Sequence, residues 1–148
     1  MIPLKQSSQG LIIDVIGKLK PHLDAITGSW REKLLSFGLD SRTLNTLERL
    51  TPAAGADFII ERNFYKFFES LHYNSVRLAK LSTDTRLVAR SLELYQELCE
   101  PWLLQLYGEE GLTNAQAALE MVRSATFVAF SGAYFDTKTF ETQALLRV

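Results

Sequence analysis

Few side chains in this chain are suited to chemistry, and His72 comes first among them. It lies in the stretch 70–98, "SLHYNSVRLAKLSTDTRLVARSLELYQEL", and is one of only two histidines. An imidazole on a helix with an apolar face can hold a haem iron axially, if aromatic and aliphatic side chains wrap the porphyrin. Phe64, Phe68, Leu94 and Tyr95, with Phe67, Leu71 and Leu98, are of the right type for that wrapping. The same residues equally well fill one another's space as an ordinary helical core.

Other chemistry has less support. Cys99 is the single cysteine, which excludes an internal disulfide and a cysteine-based zinc site. Nothing in the sequence places His22 or His72 beside it as a base, and a helix-borne cysteine is usually a small core residue. The carboxylate pairs Glu109-Glu110 and Glu97-Glu100 read as loop or solvated positions. His22 and His72 are fifty residues apart and have no metal-ligand spacing. The chain has no GxSxG, P-loop, HExxH or GxGxxG pattern. It therefore reads as non-catalytic, with no metal and no cofactor, haem being the alternative.

Composition narrows the partners. The 148 residues are 47% hydrophobic and 22% charged, enough for one domain (1–148) with a real core. The net charge of -1 offers no basic field for a phosphate backbone, so nucleic acid is not an expected partner. The start, "MIPLKQSSQGLIIDVIGKLK", has a short apolar patch broken by Asp14, neither a signal peptide nor a membrane span. A cytoplasmic protein without a membrane partner is expected.

The elements that must position these residues are helical, because apolar residues recur with a period near 3.6 almost everywhere. Leu11, Ile12, Val15, Ile16 and Leu19 predict a first helix. Pro21 opens a second, with Leu23, Ile26, Trp30, Leu34 and Phe37, which Gly38 stops. Asp40 or Ser41 caps a third, through Leu44, Leu47 and Leu50. "TPAAGAD" reads as a turn-like break, and an aromatic helix from Phe58 to Leu71 follows. "LSTDT" is a second break, with Ser82 or Thr83 as cap and Asp84 favouring the positive end of the helix dipole. A long helix runs to Tyr107, kinked or restarted at Pro101. "GEEGLTN" reads as a loop ending in a cap at Thr113 or Asn114. The last helix carries Ala118, Met121, Val122, Ala125, Phe127, Val128 and Phe130, is weakly interrupted at Gly132 and Asp136, and resumes to the end. No segment alternates like a strand, so the expected class is all-α. The pattern still runs at Leu145-Leu146-Arg147-Val148, which predicts that the helix continues into a downstream module.

Several fragments carry a resemblance over roughly 23–140: "SWREKLLSFG", "FYKFFESL", "VRLAKLSTDTRLVARSLELYQEL" and "ALEMVRSATFVAFSGAYF". Their order resembles the sensor-globin family. It is most similar to the haem-free, globin-like N-terminal domains of stressosome proteins of the RsbR type, which are related to globin-coupled sensors. Matching the family's leucine to Leu81 puts Val76 at the haem-ligand position, Lys80 where the family has glycine and Thr85 where it has tryptophan. His72 lies four residues earlier, one helical turn or about 5.4 Å away. The resemblance thus implies a haem-free, globin-like domain.

The resemblance further implies a homodimer whose long C-terminal helices form a four-helix arrangement. It would be a stress-response input domain for signal transduction, passing a conformational signal to a C-terminal output module or signalling partner protein. Met121, Val122, Ala125, Val128, Ala129 and Gly132 are apolar or small and suit such a dimer interface; the same stripe could instead pack within its own subunit. Leu11, Ile12, Val15 and Ile16 could add to the dimer face. The competing function is a sensor that binds haem or a small apolar ligand through His72 and the Phe-rich helix. Interior space separates the two, because a ligand pocket needs several hundred Å³.

Overall fold

The computed structural model describes residues 6–147. Val148, where the helical pattern of the sequence ends, lies outside them, as do the first five residues of the segment read above as no leader. Six α-helices follow one another: α1 (Gln6–Leu19), α2 (Leu23–Ser36), α3 (Ser41–Glu48), α4 (Pro52–Ile60), α5 (Phe64–Lys80) and α6 (Thr85–Leu146). A single 3₁₀ turn, Lys20–His22, joins α1 to α2 with Pro21 in its first turn. Among the described residues there is no strand, and no helix is long and apolar enough to cross a membrane.

α6 is not one rod. Gly108 has φ 70° and ψ 176°, and only there does the backbone inside α6 leave helical geometry. The chain folds back at that residue, which divides α6 into an N-terminal arm, 85–107, and a C-terminal arm, 109–146. Two contacts fix the arms side by side and antiparallel: Gln96 Nε2 donates to Glu120 Oε2 at 3.1 Å and Arg123 Nε to Gln96 Oε1 at 2.7 Å. The sequence predicts a loop over "GEEGLTN", yet helix resumes directly after Gly108, and Thr113 and Asn114 are exposed helical residues rather than caps. Pro101 lies inside the N-terminal arm without a change of dihedrals. The predicted weak interruption at Gly132 and Asp136 is also absent, because Ala133 and Tyr134 are buried there and hold the helix against the core.

Two helix ends depart from expectation for a common reason. "TPAAGAD" is not a break but the start of α4: Thr51 sits at the N-cap and Pro52 occupies the first turn, where its missing N–H costs nothing. α4 ends at Arg62, whose φ is 59°, and α5 ends at Ser82, whose φ is 53°. In each case the paired bonds of a left-handed helix terminus form. Asn63 N donates to Phe58 O and Arg62 N to Ile59 O; Thr83 N donates to Leu78 O and Ser82 N to Ala79 O. Glycine is the usual residue at such a position, so the end of α4 was not visible as a stop, whereas the break at "LSTDT" falls where α5 ends. Ser82 closes α5, and the cap of α6 is Asp84, whose carboxylate accepts from Arg86 N at 2.8 Å. That bond and the Arg86 guanidinium hold the Asp84 carboxyl below its usual range.

The helices share one buried cluster running from Ile12 to Tyr134. Ile12, Val15 and Ile16 are fully buried in it, so these three do not add to a dimer face. Trp30 of α2 is also fully buried, and its indole Nε1 donates to Ser91 O on α6 at 2.8 Å. The Tyr95 ring meets it edge-on at 5.9 Å, and Tyr95 Oη shares a 2.9 Å hydrogen bond with Thr27 Oγ1. A buried indole N–H left without an acceptor costs about 1–3 kcal/mol, so this bond fixes how α2 sits on α6. At the reversal, Tyr107 Oη donates to Asp14 Oδ2 at 2.7 Å and Lys18 Nζ lies 4.5 Å over the Tyr107 ring, tying the corner to α1.

Candidate functional site

The residues singled out for haem do not converge. His72 is exposed, while Phe68, Leu94 and Tyr95 are buried and Phe64 is half-buried. His72 lines an open groove between α5 and the C-terminal arm, with Val76, Lys80, Ala133, Asp136, Thr137 and Phe140. Tyr95 lines a different space, closed in by Leu50, Leu92, Cys99, Leu119 and Val122, and that space measures about 20 Å³. A single water needs about 10–15 Å³ on the same measure, and ligand pockets run to several hundred. Phe67 and Phe68 of α5 are spent on packing: they meet at 5.2 Å, and Phe67 lies against Gly55 of α4.

Reactive groups are also inert or dispersed. Cys99 is fully buried, and that burial pushes its thiol up to about 12, away from the thiolate a nucleophile needs. Burial likewise raises the Tyr95 phenol, its bond to Thr27 acting in the opposite direction. His22 stacks on Trp102 at 4.2 Å with 21° between the planes. Glu97 pairs with Arg90 at 2.9 Å on the exposed face of α6, and Glu100, Glu109 and Glu110 are exposed. Among the described residues no three His, Cys, Asp or Glu side chains gather as a metal site.

The C-terminal arm is where the sequence-predicted interface residues come together, though not all on one side. Val122 is 3% exposed and lines the closed space beside Tyr95, so it faces its own core and is not available to a second chain. Met121, Ala125 and Ala129 are partly buried and pack against that core. Val128 and Gly132 do face outward. They are joined by Phe135, 58% exposed, which the sequence reading did not assign. The signal for it was present: Met121, Val128 and Phe135 recur every seven residues, the spacing that keeps side chains on one helix face. Ser124, Ser131 and Gly132 between them, and Ala117 and Thr139 on either side, are small or uncharged.

The opposite face of the same arm is locked inward. Ala115, Ala118, Leu119, Thr126, Phe130, Ala133 and Tyr134 are buried, and Tyr134 Oη donates to Thr83 O at 2.8 Å. Charged side chains mark the boundary between the faces. Arg123 binds both Glu120 and Gln96, and Lys138 Nζ donates to Ser82 Oγ at 2.8 Å. Past the last buried residue, Phe140, Leu145 and Leu146 are 71%, 76% and 81% exposed. What the arrangement offers is a helix with one side packed in the core and the other carrying exposed Val128, Gly132 and Phe135. No protein-family model matches the chain, nor does any curated protein or solved structure, so a function must be argued from these residues alone.

Proposed function

We propose that the chain is a non-catalytic regulatory domain of the sensor-globin type. It acts as a homodimer and passes a conformational signal along the C-terminal arm of α6 to an output module or signalling partner protein. The observation that carries this is the two-sided arm: Phe130 and Tyr134 sit in the core while Val128 and Phe135, on the same helical turns, are 41% and 58% exposed. A packed interior shifts in discrete steps rather than deforming smoothly. A rearrangement at Phe130 therefore displaces the outer face as a unit, and any protein seated on that face registers the step. Burying a Val or Phe side chain contributes about 1.5–3 kcal/mol, so Val128 and Phe135 from two copies supply a dimer seam of useful strength. Met121 and the small residues around it allow the close helix approach that such a seam needs.

Sedimentation velocity on the purified chain tests this. The wild type should sediment as a dimer, and V128E/F135E should sediment as a monomer with unchanged helicity, because neither side chain is buried in its own chain. A wild type that stays monomeric at high concentration, or a dimer indifferent to both charges, would overturn the proposal. An absorption spectrum with added haem tests the competing function: a Soret band lost in His72→Ala would favour it.

A further inference from the structure

We propose that Gly108 is an exchange hinge, through which two copies of this chain can swap the C-terminal arms of α6 while keeping the contacts that join the two arms away from the corner. The first ground is that the reversal consists of one residue. Every other backbone position from 85 to 146 is helical, so changing the Gly108 pair from φ 70°, ψ 176° to about −63°, −42° makes α6 one continuous rod. No loop has to be taken up and no proline stands at the joint. An ideal Cβ at Gly108 meets nothing within 4 Å, so the residue has room on that side to change its dihedrals.

The second ground is register. Gln96 and Glu120, which share a hydrogen bond, both lie twelve residues from Gly108. Leu92 and Ser124, which line one groove between the arms, both lie sixteen residues from it. The arms are antiparallel and paired symmetrically about the hinge. Two straight α6 helices lying antiparallel, with a two-fold axis at Gly108, therefore place residue 96 of one copy opposite residue 120 of the other. Leu92 falls opposite Ser124 in the same way. The Arg123–Gln96 bond and the seat of Tyr134 on Thr83 then re-form between copies. A longer connection would permit exchange but would not make it the alternative that restores helical hydrogen bonds at the joint. A short hinge that only glycine tolerates is also the kind that favours exchange when replaced.

The exchange does not rest on the dimer proposed above. It uses the inner face of the arm, and the outer face stays exposed in both forms. The two arrangements are told apart by which chain supplies residue 120 to residue 96.

The experiment uses the full chain with Q96C and E120C, joined after folding by a short bis-maleimide; Cys99 is fully buried and does not compete. The single-residue hinge state is one that only glycine holds comfortably. G108A should therefore raise the fraction of chains crosslinked to a second chain, read on a denaturing gel at fixed concentration, by about tenfold or more. Inserting Gly-Ser-Gly after Gly108 should return the link to within one chain. If G108A carries only intrachain links, whether it sediments as a dimer or as a monomer, the proposal is wrong. Should G108A fail to fold, the cysteine-bearing chain with native Gly108 is unfolded and refolded at high concentration. Interchain links in the resulting dimer support exchange, and exclusively intrachain links overturn it.

Discussion

Gly55→Ala should destabilise this protein, although in a solvent-facing helix the same change is stabilising. Gly55 lies inside α4 and is buried. An ideal Cβ there would sit 2.6 Å from Phe67 Cε1 and 2.8 Å from Cδ1, where ordinary contact begins at 3.4 Å. Phe67 cannot turn away freely, since it is 2% exposed and packs on Phe68. α4 and α5 must then separate by several tenths of an ångström, or the ring must leave its rotamer. Replacing Gly by Ala in a helix gains about 0.8–1 kcal/mol, and overpacking a filled core costs about 1–3 kcal/mol. A net loss of about 1 kcal/mol is expected. Gly28 of α2 is the control: it is exposed, with nothing within 4 Å of an ideal Cβ, so Gly28→Ala should gain close to the full helix term. Urea unfolding followed by circular dichroism at constant slope measures both. The pair G55A/F67L should recover most of the loss, because the smaller side chain vacates the contact. If Gly55→Ala raises the midpoint as Gly28→Ala does, the helices are not in close contact there and the reasoning fails.

Two further outcomes follow from local geometry and from burial. Arg62→Gly and Ser82→Gly should each stabilise by roughly 0.5–1 kcal/mol, since both positions hold a side chain in left-handed backbone; chemical denaturation showing a loss in both would refute the assignment of these helix ends. On the alkaline side, stability should fall as pH rises from 9 towards 12. The buried Cys99 thiol, whose ordinary value is 9.0, is pushed up to about 12 in the folded chain, so the unfolded chain loses its proton first. The buried Tyr95 phenol acts in the same direction. Urea midpoints measured from pH 8 to 11 check this, and a Cys99→Ala profile as steep as the wild type would show that the thiol plays no part.

The helical content was legible because apolar residues recur at helical spacing in nearly every segment, and Gly38, with φ 85°, ends α2 where the sequence places a stop. What was not legible has physical causes. Arg62 does the work usually left to glycine, so the α4–α5 joint gave no signal, and Ser82, read as a cap of the next helix, instead closes α5 in left-handed backbone. Gly55 looked like a turn residue, but it is there to let Phe67 approach α4. "GEEGLTN" was read as seven residues of loop because Gly108 and Gly111 punctuate it, yet one glycine makes the whole reversal and helix resumes at once. For the candidate site, outward Val128 and Gly132 were separable from inward Val122 only by geometry: the arm is apolar on both sides, and composition cannot tell which side has a neighbour. His72 was singled out for its chemistry, while its exposure depends on where α5 and the C-terminal arm diverge, which no local pattern encodes.

The two tryptophans give the molecule a pair of built-in optical reporters. Trp30 is fully buried, with its indole N–H held by Ser91 O, and should emit at short wavelength and resist iodide quenching. Trp102 is half-buried and stacked on His22 at the α1–α2 corner, so its emission should be quenched by the imidazole and should brighten when that corner loosens. Two single-tryptophan variants would therefore time the opening of the centre and the corner separately, in one chain and without an added dye.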